Sequence, residues 1–244
     1  MTDPLGPLLD LAGVSADLER ARDAVDTALR ERALRRVGGQ VAAEVGLRSA
    51  VASAALEGHG YPREEVRAGL VTDPVVQGAL RLAGALGGLV EVWITAPRQA
   101  LARLHVLAAR DLVDAEALGR PIADADRLDT LLYSVGSSNA PALLRAAVVH
   151  GELLAARPFA GPNGLVARAA ARLVSMSAGL DAHGLLPVDV GHHTRELEYQ
   201  GASGAFATGT RDGLRAWFRH YAAAVELAAA ELVTVCGEAS RTSA

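Results

Sequence analysis

The 244-residue sequence predicts an all-α fold. Half of the residues are hydrophobic, 21% are charged and 4% are aromatic, which is the balance of a chain with a packed core. Alanine dominates the apolar residues, and it favours helices that pack closely together. Apolar positions recur at helical spacing in several segments, whereas the chain shows no succession of alternating strands.

The first predicted helix covers residues 17–36, where acids and arginines alternate through DLERARDAVDTALRERALRR. This pattern is typical of a solvated helix face, and the helix is expected to end before Gly38 and Gly39. A second helix is predicted over residues 43–57, because Gly58 follows it as a stop signal.

Proline marks the starts of the next two helices. Asp73 can cap a helix whose first position is Pro74. Thr95 and Pro97 begin another helix that runs through LARLHVLAARDLV. Residues 119–138 are polar, with glycine and proline near their start, and are expected to hold a loop, a short helix or a small hairpin.

The strongest helical pattern follows Pro141 and ends at residues 157–158, an Arg-Pro pair. One face of this helix carries four residues at helical spacing: Leu143, Ala147, His150 and Leu154. Further helices are predicted from about residue 164 to residue 178 and over residues 210–235, the last with a stripe of large apolar side chains.

Composition excludes several classes of protein. Cys236 is the single cysteine, so neither an intramolecular disulfide nor a multi-cysteine zinc site is possible. A net charge of -4 argues against a nucleic-acid-binding protein, because such proteins typically carry an excess of positive charge. The N-terminus has no basic region followed by an apolar core, so no signal peptide is expected. No segment is expected to reach the roughly 20 apolar residues of a membrane span, which predicts a soluble, cytoplasmic protein.

The stretch ARPFAGPNGLVAR, residues 156–168, interrupts the helical pattern. A tight turn followed by a helix N-terminus presents free N–H groups and a partial positive charge, which together bind phosphate. Arg168, about one turn inside the second helix, would add a charge-assisted contact. The alternative is a plain Pro-Asn-Gly turn between packed helices.

This stretch resembles the signature of the Fic (Fido) family, HPFx[DE]GNGRxxR. Five residues match it without gaps: Pro158, Phe159, Asn163, Gly164 and Arg168. His150 also matches a histidine that family members often carry seven residues before the motif histidine. LARLHVLAARDL with the following LGRP resembles the helix and the "G-x-R" that begin the family's target-docking flap. The likeness runs from about residue 95 to the C-terminus.

A second family element precedes this region. Regulated members carry an inhibitory helix ending in [ST]xxxE[GN], and this chain has Ser53 and Glu57 followed by Gly58. The resemblance implies that Glu57 pairs with Arg168, the final motif arginine, and blocks the terminal phosphate of a nucleotide. It also divides the chain into N-terminal helices at 1–62, which include the inhibitory helix, and a Fic-like domain at 63–244.

Four departures fall on the reactive positions of the motif. Arg157 replaces the histidine that serves as general base, and arginine stays protonated in proteins. Gly161 replaces the acid that holds Mg²⁺, so the metal loses its carboxylate ligand. Pro162 has no N–H for the anion nest, and Leu165 replaces a phosphate-binding arginine. Ordinary AMP transfer is therefore not expected, and no catalytic residue or metal ligand is assigned.

The leading interpretation is a Fic-fold protein with a degenerate active site, an inactive relative of the protein adenylyltransferases. Asn163, Gly164 and Arg168, with Arg157 replacing lost positive charge, are the candidate residues for weak binding of a phosphorylated ligand. The candidate ligand is ATP or another nucleotide, and the loss of the carboxylate argues against Mg²⁺.

Two alternatives stay open. One is an active protein-modifying transferase, for AMP or another phosphate-containing group, that uses a non-standard base. The other is a non-catalytic helical protein-interaction domain. The expected partner is a protein that the sequence does not identify, with a homodimer as a further candidate by analogy with the family; neither nucleic acid nor a membrane is expected.

Histidines are the residues that would have to supply a non-standard base. His150 is predicted to be a packed, hydrogen-bonded core residue, because it lies on an apolar helix face. His192 and His193 are interpreted as the start of a surface helix, since no further metal ligands lie near them in sequence. His59 is suggested to face the motif loop.

Overall fold

The all-α prediction is confirmed by a computed structural model that describes residues 3–242. The first six helices are α1 Gly6–Leu9, α2 Val14–Ala28, α3 Ala33–Ala55, α4 Arg63–Arg67, α5 Pro74–Thr95 and α6 Pro97–Ala109. The next six are α7 Ala125–Ser137, α8 Ala142–Ala156, α9 Asn163–Ser177, α10 Val188–Thr194, α11 Glu196–Ala207 and α12 Arg211–Thr242. A short 3-10 helix, Ala115–Ala117, lies between α6 and α7, and the described residues contain no strand.

The 32-residue helix α12 is the longest element and packs against α2, α3, α8, α10 and α11. Its Trp217 is fully buried, and the indole Nε1–H donates to the Ala147 carbonyl of α8 at 2.8 Å. Helices α8 and α9 lie against each other, and α5 packs on α9 from another side. One apolar core joins residues from both sides of residue 62; the domain boundary placed there stays a prediction.

The predicted single helix over residues 17–36 is wrong. Helix α2 ends at Ala28 and α3 begins at Ala33, with a kink at Val37 where φ is -127° and ψ is 23°. The two glycines at 38 and 39 directly follow this kink, and α3 continues through them to Ala55. Burial of the later apolar face of α3 against its neighbours outweighs the modest helix penalty of the two glycines.

Other predicted boundaries agree with the structure. Helix α3 ends two residues before Glu57, and Gly58 adopts a φ of 88° that favours glycine. The Asp73 carboxylate caps α5 by accepting the amides of residues 75 and 76 at 2.8 and 3.3 Å. Pro97 opens α6, and the ambiguous segment 119–138 contains the regular helix α7.

Helix α5 corrects the expectation that no segment is long and apolar enough for a membrane span. Its 22 residues meet that test by length and composition, as core helices of soluble proteins also do. In this fold α5 packs against α3, α6 and α9. A Cβ added at Gly78 would overlap the Ala108 carbonyl of α6, so the two helices approach closely at this glycine.

Candidate functional site

The loop at residues 157–162 joins the end of α8 to the N-terminus of α9. Arg157 ends α8 in the left-handed conformation, with φ 45° and ψ 55°. A non-glycine residue in this region is uncommon and marks a constrained turn. The Arg157 side chain is exposed, and no other residue between 3 and 242 pairs with it. The residue that the resemblance aligns with the motif histidine is therefore a cation without a partner among the described residues.

Asn163 holds the loop in shape. Its side chain is buried at the first position of α9, where Oδ1 accepts the Phe159 amide at 3.0 Å. Nδ2 donates to the carbonyls of Phe159 at 2.6 Å and Gly161 at 3.2 Å. The side chain thus positions the loop backbone, and a direct contact of Asn163 with phosphate stays a prediction.

Gly161 and Leu165 occupy the positions that the motif resemblance assigns to a metal-binding acid and a phosphate-binding arginine. Gly161 has a φ of 79°, and a Cβ there would lie 3.1 Å from the Val113 side chain. Leu165 is 1% exposed and borders a cavity of about 20 Å³ together with Leu82 and Leu86. An apolar side chain therefore fills the position of the first motif arginine. The described residues include no group of three or more His, Cys, Asp or Glu that could hold a metal.

His105 links this loop to the segment around Gly119, and its role is not apparent from the sequence pattern. Its Nδ1 accepts the Gly119 amide at 2.9 Å, so the ring proton lies on Nε2, which donates to the Ala160 carbonyl at 2.8 Å. The ring stacks on Phe159 with a centroid distance of 4.6 Å. The Ile122 amide also donates to the Pro158 carbonyl at 2.7 Å. The signal in the sequence was a histidine among the apolar residues of α6.

Glu57 and Arg168 form an ion pair, with 2.8 Å between Oε1 and Nη2. Arg168 is only 2% exposed and donates further to the Ser53 hydroxyl at 2.8 Å, to the Ser53 carbonyl at 2.9 Å and to the Tyr199 hydroxyl at 3.1 Å. Asp189 adds a second carboxylate 3.6 Å from Nε. The two residues of the predicted inhibitory helix are thus joined to the last motif arginine, and the regulatory role of the contact stays a prediction.

The Glu57 carboxylate also lies against the N-terminus of α9. A Cβ added at Gly164 would overlap Glu57 Oε1, so only glycine permits this approach. The first amides of a helix have no partner within it, and its dipole favours a negative charge there. Within the described residues Glu57 accepts its one hydrogen bond from Arg168, and its carboxylate also lies next to the helix end that the sequence assigned to phosphate.

A cluster of buried histidines lies behind Arg168. His150 is fully buried, as predicted, and its Nε2 lies 2.9 Å from the Tyr199 hydroxyl. The expectation that His192 lies on the surface is wrong: it is 1% exposed and its Nδ1 lies 3.0 Å from His220 Nε2. The reason is the close approach of α10 to α12, because a Cβ at Gly191 would overlap the α12 backbone. This approach carries His192 inward.

The neighbouring histidines take different positions. His193, beside His192, is 44% exposed and lies 3.6 Å from the Glu196 carboxylate. His59 places its Nδ1 2.8 Å from the Asp73 carboxylate, so its polar contact is with the cap of α5. Its suggested approach to the motif loop stays a prediction.

Stability is expected to fall as the pH drops below about 6.5. Burial lowers the pKa of His105, His150 and His192, and it lowers that of His220 to about 4. In the unfolded chain these histidines are protonated as the pH falls through about 6.5, whereas in the folded chain they stay neutral to lower pH. Their contribution to the free energy of unfolding is therefore fully present above about pH 6.5 and is lost as the pH falls toward the folded pKa values. The slope is about 1.4 kcal/mol per pH unit for each histidine.

Urea unfolding at about pH 7.5 and about pH 5.5 measures this loss. His220→Gln is expected to reduce the pH dependence, whereas His193→Gln, a change at a more exposed ring, leaves it intact. Equal unfolding free energies at the two pH values would contradict the prediction.

Two solved structures are similar to this chain. One is a Fic family protein from Desulfovibrio desulfuricans G20, with a TM-score of 0.74 and 20% identity over 91% of this chain and 74% of that protein. The other is Fic-1 (residues 134–508) from C. elegans, with a TM-score of 0.67 and 18% identity over 98% of this chain and 76% of that one. No family model and no curated protein matches the sequence. At these identities the likeness establishes the fold and not an activity.

Proposed function

We propose that this chain, which has the helical fold of Fic proteins, binds a phosphorylated ligand weakly at the N-terminus of α9 and does not perform ordinary AMP transfer. The proposal rests on the position of the Glu57 carboxylate, which accepts a hydrogen bond from Arg168 and packs closely against Gly164. A carboxylate in that position marks an anion site, and a phosphate that displaced it would find the same partners.

The absence of a suitable base supports the second half of the proposal. Arg157 cannot accept a proton at neutral pH. His105 uses both ring nitrogens in hydrogen bonds, and His150 is fully buried. General-base catalysis typically contributes about 10²–10⁴-fold to a rate. The hydrogen bonds of His105 and the burial of His150 therefore argue against either ring replacing the motif histidine.

The shape of the loop argues against Mg²⁺-assisted chemistry in the manner of the motif. Gly161 offers no carboxylate oxygen for a hard cation. Its positive φ and its contact with Val113 would also strain an acidic side chain placed there. Any phosphate bound at α9 would therefore depend on Arg168, the helix N-terminus and the exposed Arg157. Binding is weak because Glu57 competes for the same groups.

We expect no AMP labelling of protein substrates or of the chain itself when the wild-type protein is incubated with labelled ATP and Mg²⁺. The double variant Arg157→His with Gly161→Asp is expected to stay inactive, because Pro162 and Leu165 still alter the anion site. Mass spectrometry of the incubated protein reports any self-modification. Clear Mg²⁺-dependent labelling by the wild type would refute the prediction and favour a transferase with a non-standard base.

A non-catalytic interaction domain is the second candidate function. The observation that favours it is the closed state of the site, where Glu57 covers the helix end and Leu165 fills the arginine position. Calorimetry with ATP, with and without Mg²⁺, separates the two candidates, because an interaction domain would release no binding heat. A soluble, cytoplasmic location and an unidentified protein partner, or a homodimer, belong to this proposal as well.

A further inference from the structure

A cavity of about 260 Å³ lies at the far end of α9 from the motif loop. It is lined by residues of α5, α6, α7, α8 and the end of α9, among them Trp93, Ile94, Arg145 and Val174. Arg145 is the one charged residue among these, and the others are mostly apolar. The size is slightly below that of pockets that hold drug-sized ligands.

Arg145 has no partner in the fold. Its Nε is buried without a hydrogen bond, and its guanidinium forms no ion pair with any residue between 3 and 242. The Trp93 indole N–H likewise donates to none of these residues. Buried donors are normally satisfied, so the unpartnered Arg145 Nε beside this cavity requires an explanation.

A purely structural use of Arg145, as a cap for the carbonyls that end α9, is not supported. The Val174 carbonyl accepts the amide of residue 178 at 3.0 Å, and the Met176 carbonyl accepts the amide of residue 179 at 3.1 Å. The Ser175 carbonyl accepts the amides of residues 180 and 181. Three of the last four carbonyls of α9 therefore already have backbone partners.

We propose that this cavity binds a small carboxylic acid that carries one aromatic ring or a branched apolar group. The carboxylate would pair with Arg145 in a charge-assisted contact, for which the planar guanidinium is well suited. The Trp93 N–H supplies a further donor. The apolar body of the ligand would lie on the walls and cover Ile94, which is 56% exposed.

Sodium phenylacetate is the probe for this site, with phenylacetamide and acetate as matched controls. Phenylacetate is expected to bind the full chain at millimolar concentrations or below, and each control at least about tenfold more weakly. Titration calorimetry measures the affinities. Fluorescence gives a second readout, because the chain has two tryptophans, one of which lines the cavity while Trp217 is fully buried.

Arg145→Met is expected to weaken phenylacetate binding by at least about tenfold, with a smaller loss for Arg145→Lys. Arg103→Met, which removes an exposed arginine without a partner among the described residues, is expected to leave the affinity unchanged. Melting temperatures show whether each variant is folded, and the comparison of phenylacetate with its amide in the wild type requires no variant. Equal binding of acid and amide, equal binding of acetate, or no binding of phenylacetate at about 10 mM would overturn the proposal.

Discussion

Replacing Arg168 with methionine is expected to lower the free energy of unfolding by about 3–5 kcal/mol, the usual cost of removing one partner from a buried ion pair. Arg168 is the cation that both Glu57 and Asp189 face. Asp189 has a 5% exposed side chain, and its Oδ2 makes no hydrogen bond within the described residues. Without the arginine, one carboxylate would be left buried with only Arg172, at 3.7 Å, as its nearest charge partner.

Urea unfolding of the purified variant measures the loss. Should Arg168→Met fail to fold, Arg168→Lys keeps the charge and removes the fork of donors, and is expected to be intermediate. Arg157→Met is the matched control, since that arginine is exposed and has no partner between residues 3 and 242; its effect should stay within about 0.5 kcal/mol. Equal stabilities of the Arg168→Met and Arg157→Met variants would contradict the prediction.

Glu57→Ala is expected to cost about 1–3 kcal/mol, between the values for solvated and fully buried pairs. The Glu57 side chain is 25% exposed, and Arg168 would keep Asp189 at 3.6 Å as well as its bonds to Ser53 and Tyr199. The loss is therefore smaller than for the arginine. Thermal unfolding of the variant measures it.

The same variant opens the anion site. Inorganic phosphate or ATP is expected to raise the melting temperature of Glu57→Ala, because a phosphate can then take the place of the Glu57 carboxylate beside Arg168 and the N-terminus of α9. The wild type is expected to respond much less, since its own carboxylate competes. Glu64→Ala, at an exposed glutamate paired with Arg67, is the control. A melting temperature of Glu57→Ala equal to that of the wild type would contradict the expected loss of stability. An equal rise of the melting temperature with phosphate in the variant and the wild type would contradict the expected opening of the anion site.

Local chemistry determined much of the fold. Pro74 and Pro97 begin helices because a proline at the first position loses no intrahelical bond, and the Asp73 side chain satisfies the free amides that follow it. Gly58 ends its segment because it accepts a positive φ. Each of these signals acts within a few residues, so it is readable from the sequence.

The sequence also predicted the contact between Glu57 and Arg168, but only through the family motif. The two residues are 111 positions apart, and no local rule joins them. What the motif could not provide is the environment of the pair: the second carboxylate of Asp189, the hydroxyl of Tyr199 and the close approach to Gly164. These details set the expected energies.

Tertiary packing decided the rest. The charged pattern of residues 17–36 continues through the turn between α2 and α3, so the pattern does not reveal where the chain turns. The turn forms because the burial of each helix against its neighbours outweighs local propensity. His192 is drawn inside by the approach of α10 to α12, and His105 finds its partners on two distant segments. Side-chain periodicity shows which face of a helix is apolar, whereas only the assembled fold determines which polar groups that face meets.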